Sequence, residues 1–142
     1  MKFLSGIKVL DMTEGIAGPY AATILGDMGA DVIKIERPAG DWGRYSGNKR
    51  GDDKTLNSHF MALNRNKKDL GLDLSKKEAH NIFKRLLKKA DVLISNYRPG
   101  VMERLNLSYK DCCKINPNIT YCTISAFGKK GENSQLPGSD TI

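Results

Sequence analysis

The sequence predicts an α/β fold built on a mostly parallel sheet, and two observations carry that prediction. β-rich runs recur five times in the 142 residues, at 7–12, 31–36, 69–74, 91–96 and 119–124. Between them lie stretches with helical spacing or helix-capping residues, or long polar loops, and strands that alternate with helices pair in parallel. The length is that of one ordinary domain, so residues 1–142 are expected to form a single unit.

Each element has its own signature. Ile7-Lys8-Val9-Leu10-Asp11-Met12 is the first strand, and Thr13-Glu14-Gly15 ends it. A small apolar helix is expected from Pro19, whose fixed φ suits a first turn, to Met28, with Gly29 as its stop. Asp31–Glu36 is the second strand. The Pro-, Gly- and charge-rich stretch from Arg37 to His59 shows no helical periodicity and reads as a long loop. Asp69–Leu74 alternates, with Leu70, Leu72 and Leu74 on one face, as a third strand would. Ser75-x-x-Glu78 reads as a capping box for a helix carrying Ala79, Ile82, Phe83, Leu86 and Leu87 at helical spacing. Asp91–Asn96 is a buried-type strand, followed by a short helical turn through Arg104. Ser108-x-x-Asp111 caps a second small helix, and Ile119–Ile124 is the last strand.

Composition narrows the partners. The net charge of +7 favours an anionic partner such as a phosphorylated small molecule, a membrane surface or a nucleic acid. The basic residues are spread along the chain, and no aromatics interleave among the candidate contacts Lys49-Arg50 and Asn66-Lys67-Lys68, which weakens a nucleic-acid face. No apolar stretch approaches the roughly 20 residues of a membrane span, and the start of the chain does not read as a signal peptide. Cys112, Cys113 and Cys122 have neither disulfide nor zinc spacing, so reduced thiols, a cytoplasmic location and no metal are expected. Cys112-Cys113 reads as a packed helix face; His59 and His80 have no catalytic partner at a readable spacing.

In parallel α/β sheets ligands bind beyond the carboxyl ends of the strands, and the candidate residues cluster there. Gly15-Ile16-Ala17-Gly18-Pro19 puts small residues where a strand turns into a helix, a place that suits an anion and equally suits a tight turn. Glu36-Arg37-Pro38 stands where a ribose reader and a phosphate grip would stand in a dinucleotide fold, the best case for a nicotinamide nucleotide. Asn96-Tyr97-Arg98-Pro99-Gly100, with Arg104, offers guanidinium forks and a stacking face that suit an adenine nucleotide.

Taken together, "GIKVLDMTEGIAGPYAATILGDMGADVIKIERPAGD", "NRNKKDLGLDL", "ADVLISNYRPGVMERLNLSY" and "INPNITYCTISAFGKKG" resemble the amino-terminal part of a class III (CaiB/BaiF) CoA-transferase. The resemblance implies a Rossmann-like large domain, here its amino-terminal part, and an interlocked homodimer of the full-length protein. It implies coenzyme A or an acyl-CoA as substrate, with a carboxylic acid as acceptor. Arg37 would meet the CoA phosphates, Gly71, Leu72 and Asp73 would line the adenosine site, and Asn96, Tyr97 and Arg98 would hold the nucleotide. Arg104 would add a phosphate contact, and Ile16 and Ala17 would border the thioester pocket. Gly138, Ser139 and Asp140 would lie near the active site.

Transferases of this family use an aspartate that attacks the thioester, and the alignment of motifs puts that nucleophile beyond Ile142, so Asp140 is not expected to be the catalyst. Racemase members carry Gly-His-Asp where this chain has Gly138-Ser139-Asp140, and a serine cannot replace an imidazole base. Formyl-CoA transferases carry Gln where Ile16 stands. A CoA-transferase is therefore the expectation, inactive as this stretch alone, with a racemase-type member or a non-catalytic CoA- or nucleotide-binding module as alternatives.

Overall fold

The structure, a computed structural model, describes residues 2–45, 49–50 and 53–138. In chain order the elements are β1 (Lys8–Met12), α1 (Ala17–Asp27), β2 (Asp31–Glu36), β3 (Lys49–Arg50), β4 (Asp53–Asn57), α2 (Ser58–Leu63), β5 (Lys67–Gly71), α3 (Lys77–Leu87), β6 (Val92–Ser95), α4 (Val101–Arg104), α5 (Tyr109–Ile115) and β7 (Thr120–Thr123). Five strands form one sheet in the order β5-β2-β1-β6-β7, and every pairing in it is parallel.

That order has a consequence for function. From β1 the chain builds outward through β2 to β5, then returns to lay β6 on the other side of β1 and continues to β7. The direction of winding therefore reverses between β1 and β6, and it is beyond the strand ends at such a point that open parallel sheets hold their ligands.

The sheet is packed on both faces because its strands alternate. Val9, Val32 and Ile94 face α1, where Ala22 and Ala30 join them in a small cluster. Leu10 and Leu93 face the other way, into the main core with Phe83 and Leu87 of α3, Met102 of α4, Leu107 of the loop after it and Cys112 of α5. In-register pairing of Leu10 with both Ile33 and Leu93 keeps these faces aligned across the sheet. Cys112 is buried among them, the packed helix face the sequence predicts.

Several boundaries differ from expectation. The third strand of the main sheet runs over Lys67–Gly71, not 69–74, because its register against β2 pairs Gly71 with Glu36 and ends there. Leu72 then turns into the core while its amide donates to the Glu36 carbonyl at 2.7 Å. Ser75 does not cap α3: the cap position is Lys76, and the Ser75 hydroxyl bonds Asp73 Oδ1 at 2.6 Å. A competing turn one residue earlier has claimed the serine. Ser108 does cap α5, its hydroxyl accepting from the Asp111 amide.

Helix α1 begins at Ala17, two residues before Pro19. The expected loop between Arg37 and His59 contains a 3-10 turn at Trp42–Arg44, the antiparallel β3–β4 pair and the start of α2, which Asn57 caps through a bond from the Phe60 amide. These elements are too short to carry a periodicity. They are held by side-chain bonds, such as Asn57 Nδ2 to the carbonyls of Gly43 and Arg44 at 2.8 and 2.6 Å.

Candidate functional site

The turn from β1 into α1 is built by side chains. The Thr13 amide donates to Asp11 Oδ1 at 3.0 Å, and the Thr13 carbonyl accepts from Lys34 Nζ at 2.7 Å. The Glu14 amide donates to Asn96 Oδ1 at 2.9 Å, and its carbonyl accepts from Asn96 Nδ2 at 2.7 Å. The Gly15 amide donates to Asp41 Oδ1 at 2.9 Å. Successive backbone groups are thus fixed from β1, β2, the residue that opens the Trp42 turn and the residue just after β6, at the strand ends where the winding reverses.

Two glycines make the close approaches possible. Gly15 has φ +83°, and a Cβ there would fall 2.2 Å from Cζ2 of Trp42, whose indole lies over it. A Cβ on Gly18 would fall 2.4 Å from Cβ of Thr13, so only glycine lets α1 start this near the strand.

Beneath the turn lies a buried ionic network. Lys34 Nζ stands 2.9 Å from Asp41 Oδ2, with side chains 1% and 0% exposed. Among the described residues no donor is aligned on that oxygen as a hydrogen bond, and the charge of Lys34 compensates it. Asp41 Oδ1 also accepts from the Gly43 amide at 2.8 Å. Both oxygens of Glu36 are taken, Oε2 by the Asp41 amide and Arg44 Nε, Oε1 by Arg44 Nη2. The Arg44 guanidinium lies 3.9 Å from the Phe60 ring centroid and reaches Asp69. Lys67 Nζ bonds Asp11 Oδ2 at 2.9 Å, the Pro19 carbonyl and Asn64. Burial pushes the Lys67 ammonium down, and Asp11 opposes that shift. Glu36 is therefore not free to read a ribose, which removes the support for a nicotinamide nucleotide.

The sequence-predicted site residues surround this scaffold. Ile16 and Ala17 are exposed at the start of α1. Arg37, 55% exposed just beyond β2, donates from Nε to the Gly40 carbonyl at 3.2 Å and from Nη2 to Glu14 Oε2 at 3.3 Å. Burial raises the Glu14 carboxyl above its usual range, and Arg37 offsets part of that rise. Asn96 spends its side chain on Glu14. Tyr97 is half-buried, its hydroxyl pushed up to about 12, first by burial and then by the Glu14 charge. Gly71 is exposed, and Leu72 is buried, its amide bonded to the Glu36 carbonyl and its carbonyl to the Leu74 amide. Asp73, held below the usual carboxylate range by the Ser75 hydroxyl, and exposed Arg104 flank the same end of the sheet.

A small cleft opens between the ends of β6 and β7, lined by Ser95, Tyr97, Arg98, Tyr121, Thr123 and Lys129. Lys129 was not singled out by the sequence; its ammonium lies 5.7 Å from the Tyr121 ring centroid. Gly138 packs against Ala126, past the end of β7. Ser139 and Asp140 lie outside the described residues. Glu14, Lys34 and Asp41 were also missed, although charged residues in core-facing positions of an apolar strand, such as Lys34 in "DVIKIE", are a signal of buried pairing.

The model of CoA-transferase family III matches residues 4–142. The chain belongs to that family. It is 41% identical to succinyl-CoA:glutarate CoA-transferase of Mus musculus, with 100% of this chain and 32% of the relative aligned. It is 42% identical to acetyl-CoA:oxalate CoA-transferase of Acetobacter aceti, over 96% of this chain and 35% of that protein. A crystal structure of a CaiB/BaiF family protein from Brucella suis superposes with a TM-score of 0.89 at 35% identity, covering 97% of this chain and 37% of that one. The family III chain described here thus spans about a third of the length of the curated relatives it matches.

Proposed function

We propose that the protein carrying this chain transfers CoA between an acyl-CoA thioester and a carboxylic acid, and that residues 1–142 supply the CoA-binding part of an incomplete Rossmann-like domain. The observation that carries this reading is that Arg37 and the run Asn96, Tyr97 and Arg98 directly follow the carboxyl ends of β2 and β6, on the two sides of β1 where winding reverses, with Arg104 closing the short helix α4 that comes next. The curated relatives bear CoA-transferase names, and the net charge of +7 suits a polyphosphate ligand.

In this reading Arg37 and Arg104 meet phosphates, Gly71 to Asp73 line the adenosine, and Asn96 to Arg98 hold the nucleotide. Ile16 and Ala17 border the thioester, with Gly138, Ser139 and Asp140 near the reacting centre. The aspartyl intermediate is the finer part of the proposal. Among the described carboxylates at these strand ends, Asp11, Glu36 and Asp41 are buried in ion pairs, Glu14 is bound to Arg37 and Asp73 to the Ser75 hydroxyl. These five are engaged in the fold itself, which agrees with a nucleophile from elsewhere in the protein. A cytoplasmic interlocked homodimer acting on small-molecule acids, without metal, completes the proposal. Among the described residues no helix is long and apolar enough to cross a membrane.

The test is calorimetric titration of CoA into the full-length protein. Arg98→Ala and Arg104→Ala should each weaken binding about tenfold or more, the loss of one charge-assisted phosphate contact. Unchanged affinity in both would sink the CoA reading.

A further inference from the structure

Arg37 is the guanidinium proposed to meet the CoA phosphates, yet it already holds an anion of its own chain. Its Nη2 donates to Glu14 Oε2 at 3.3 Å, while its Nε is anchored on the Gly40 carbonyl at 3.2 Å. Glu14 cannot retreat with its backbone, because Asn96 grips both its amide and its carbonyl. The carboxylate is only 18% exposed, so water screens it less than it would a surface acid.

We propose that Glu14 is an internal competitor for the CoA phosphates and so a residue that sets CoA affinity. The proposal rests on the CoA reading above. A phosphate arriving at Arg37 must displace the Glu14 carboxylate from it, since that carboxylate already neutralises part of the guanidinium charge. This competition weakens ground-state binding of CoA and eases its release. The charge on Glu14, and not its place in the turn, carries the effect, because the backbone bonds to Asn96 and Asp41 do not involve the residue-14 side chain.

The experiment is CoA titration of the full-length protein and its Glu14→Gln, Arg37→Ala and doubly substituted variants, at low and high salt. Glu14→Gln should raise affinity about three- to tenfold at low salt, the size expected of a partly screened charge pair, and the gain should shrink as salt rises. In the Arg37→Ala background the same change should gain less than about twofold, since the partner it releases is gone. An equal gain in that background, or unchanged or weaker binding by Glu14→Gln alone, would overturn the proposal. Should Arg37→Ala leave CoA affinity untouched, the assignment of Arg37 to the phosphates fails instead, and the two failures are read from different variants.

Discussion

Lys34 and Asp41 form an ion pair, Nζ to Oδ2 at 2.9 Å, that is closed to solvent and joins the second strand to the turn after it. Asp41 passes the restraint on to the Gly15 amide and Lys34 to the Thr13 carbonyl, so one buried pair fixes both sides of the β1–α1 turn. Removing one partner leaves a buried charge uncompensated. Asp41→Ala should therefore destabilise the fold by about 3–5 kcal/mol. Urea unfolding of wild type and variant checks this, and a loss below about 1 kcal/mol would show that water reaches the site.

Trp42 is the one tryptophan in the sequence, and its indole covers Gly15. Gly15→Ala forces a side chain into positive φ and into the ring, a combined cost of about 1–3 kcal/mol or more. The displaced indole should move further into water, so its emission should shift to the red. An unchanged spectrum with unchanged stability would refute the packing described.

Asn96 satisfies two backbone groups of Glu14 with one amide. Asn96→Ala strips both and should cost about 1–3 kcal/mol, while raising the KM for acyl-CoA more than it lowers kcat. Asn96→Asp keeps the acceptor for the Glu14 amide but loses the donor, and should fall between. If Asn96→Asp proves as damaging to binding as Asn96→Ala, a direct ligand contact outweighs the turn.

Glu14 gives a pH signature. Its carboxyl is raised above the ordinary 4.5, chiefly by burial, so the native state keeps the proton to higher pH than the unfolded chain does. Its contribution to stability is therefore greatest below 4.5, falls as pH rises through the raised value and is level above it. Glu14→Gln should remove that slope and gain stability relative to wild type on going from about pH 4 to about pH 7. Denaturant midpoints across the range measure the difference, and parallel curves would contradict it.

Much of the sheet that frames the candidate site was legible in the sequence. The strands ending at Met12, Glu36 and Ser95 were readable from β-rich runs closed by turn residues, and those ends are where ligands gather in a parallel sheet. What was not legible was how the polar side chains would be spent. Ser75 stood at a capping spacing and went to Asp73 instead, because local turns compete for the same hydroxyl. Glu36 stood where a ribose reader stands and was consumed by Arg44, eight residues on, in a stretch with no periodicity to reveal its 3-10 turn.

The sequence by itself determined the α/β class, the number of main-sheet strands and the family, since each rests on local patterns of apolar alternation, capping and motif. The tertiary structure alone decided strand order, and through it which ends meet. Glu14 and Asn96 lie 82 positions apart and become hydrogen-bond partners only because β6 returns to the free side of β1. A charge such as Lys34 is likewise ambiguous in a list of residues. Low-dielectric burial makes its pairing with Asp41 obligatory, and burial is a property of the packed sheet.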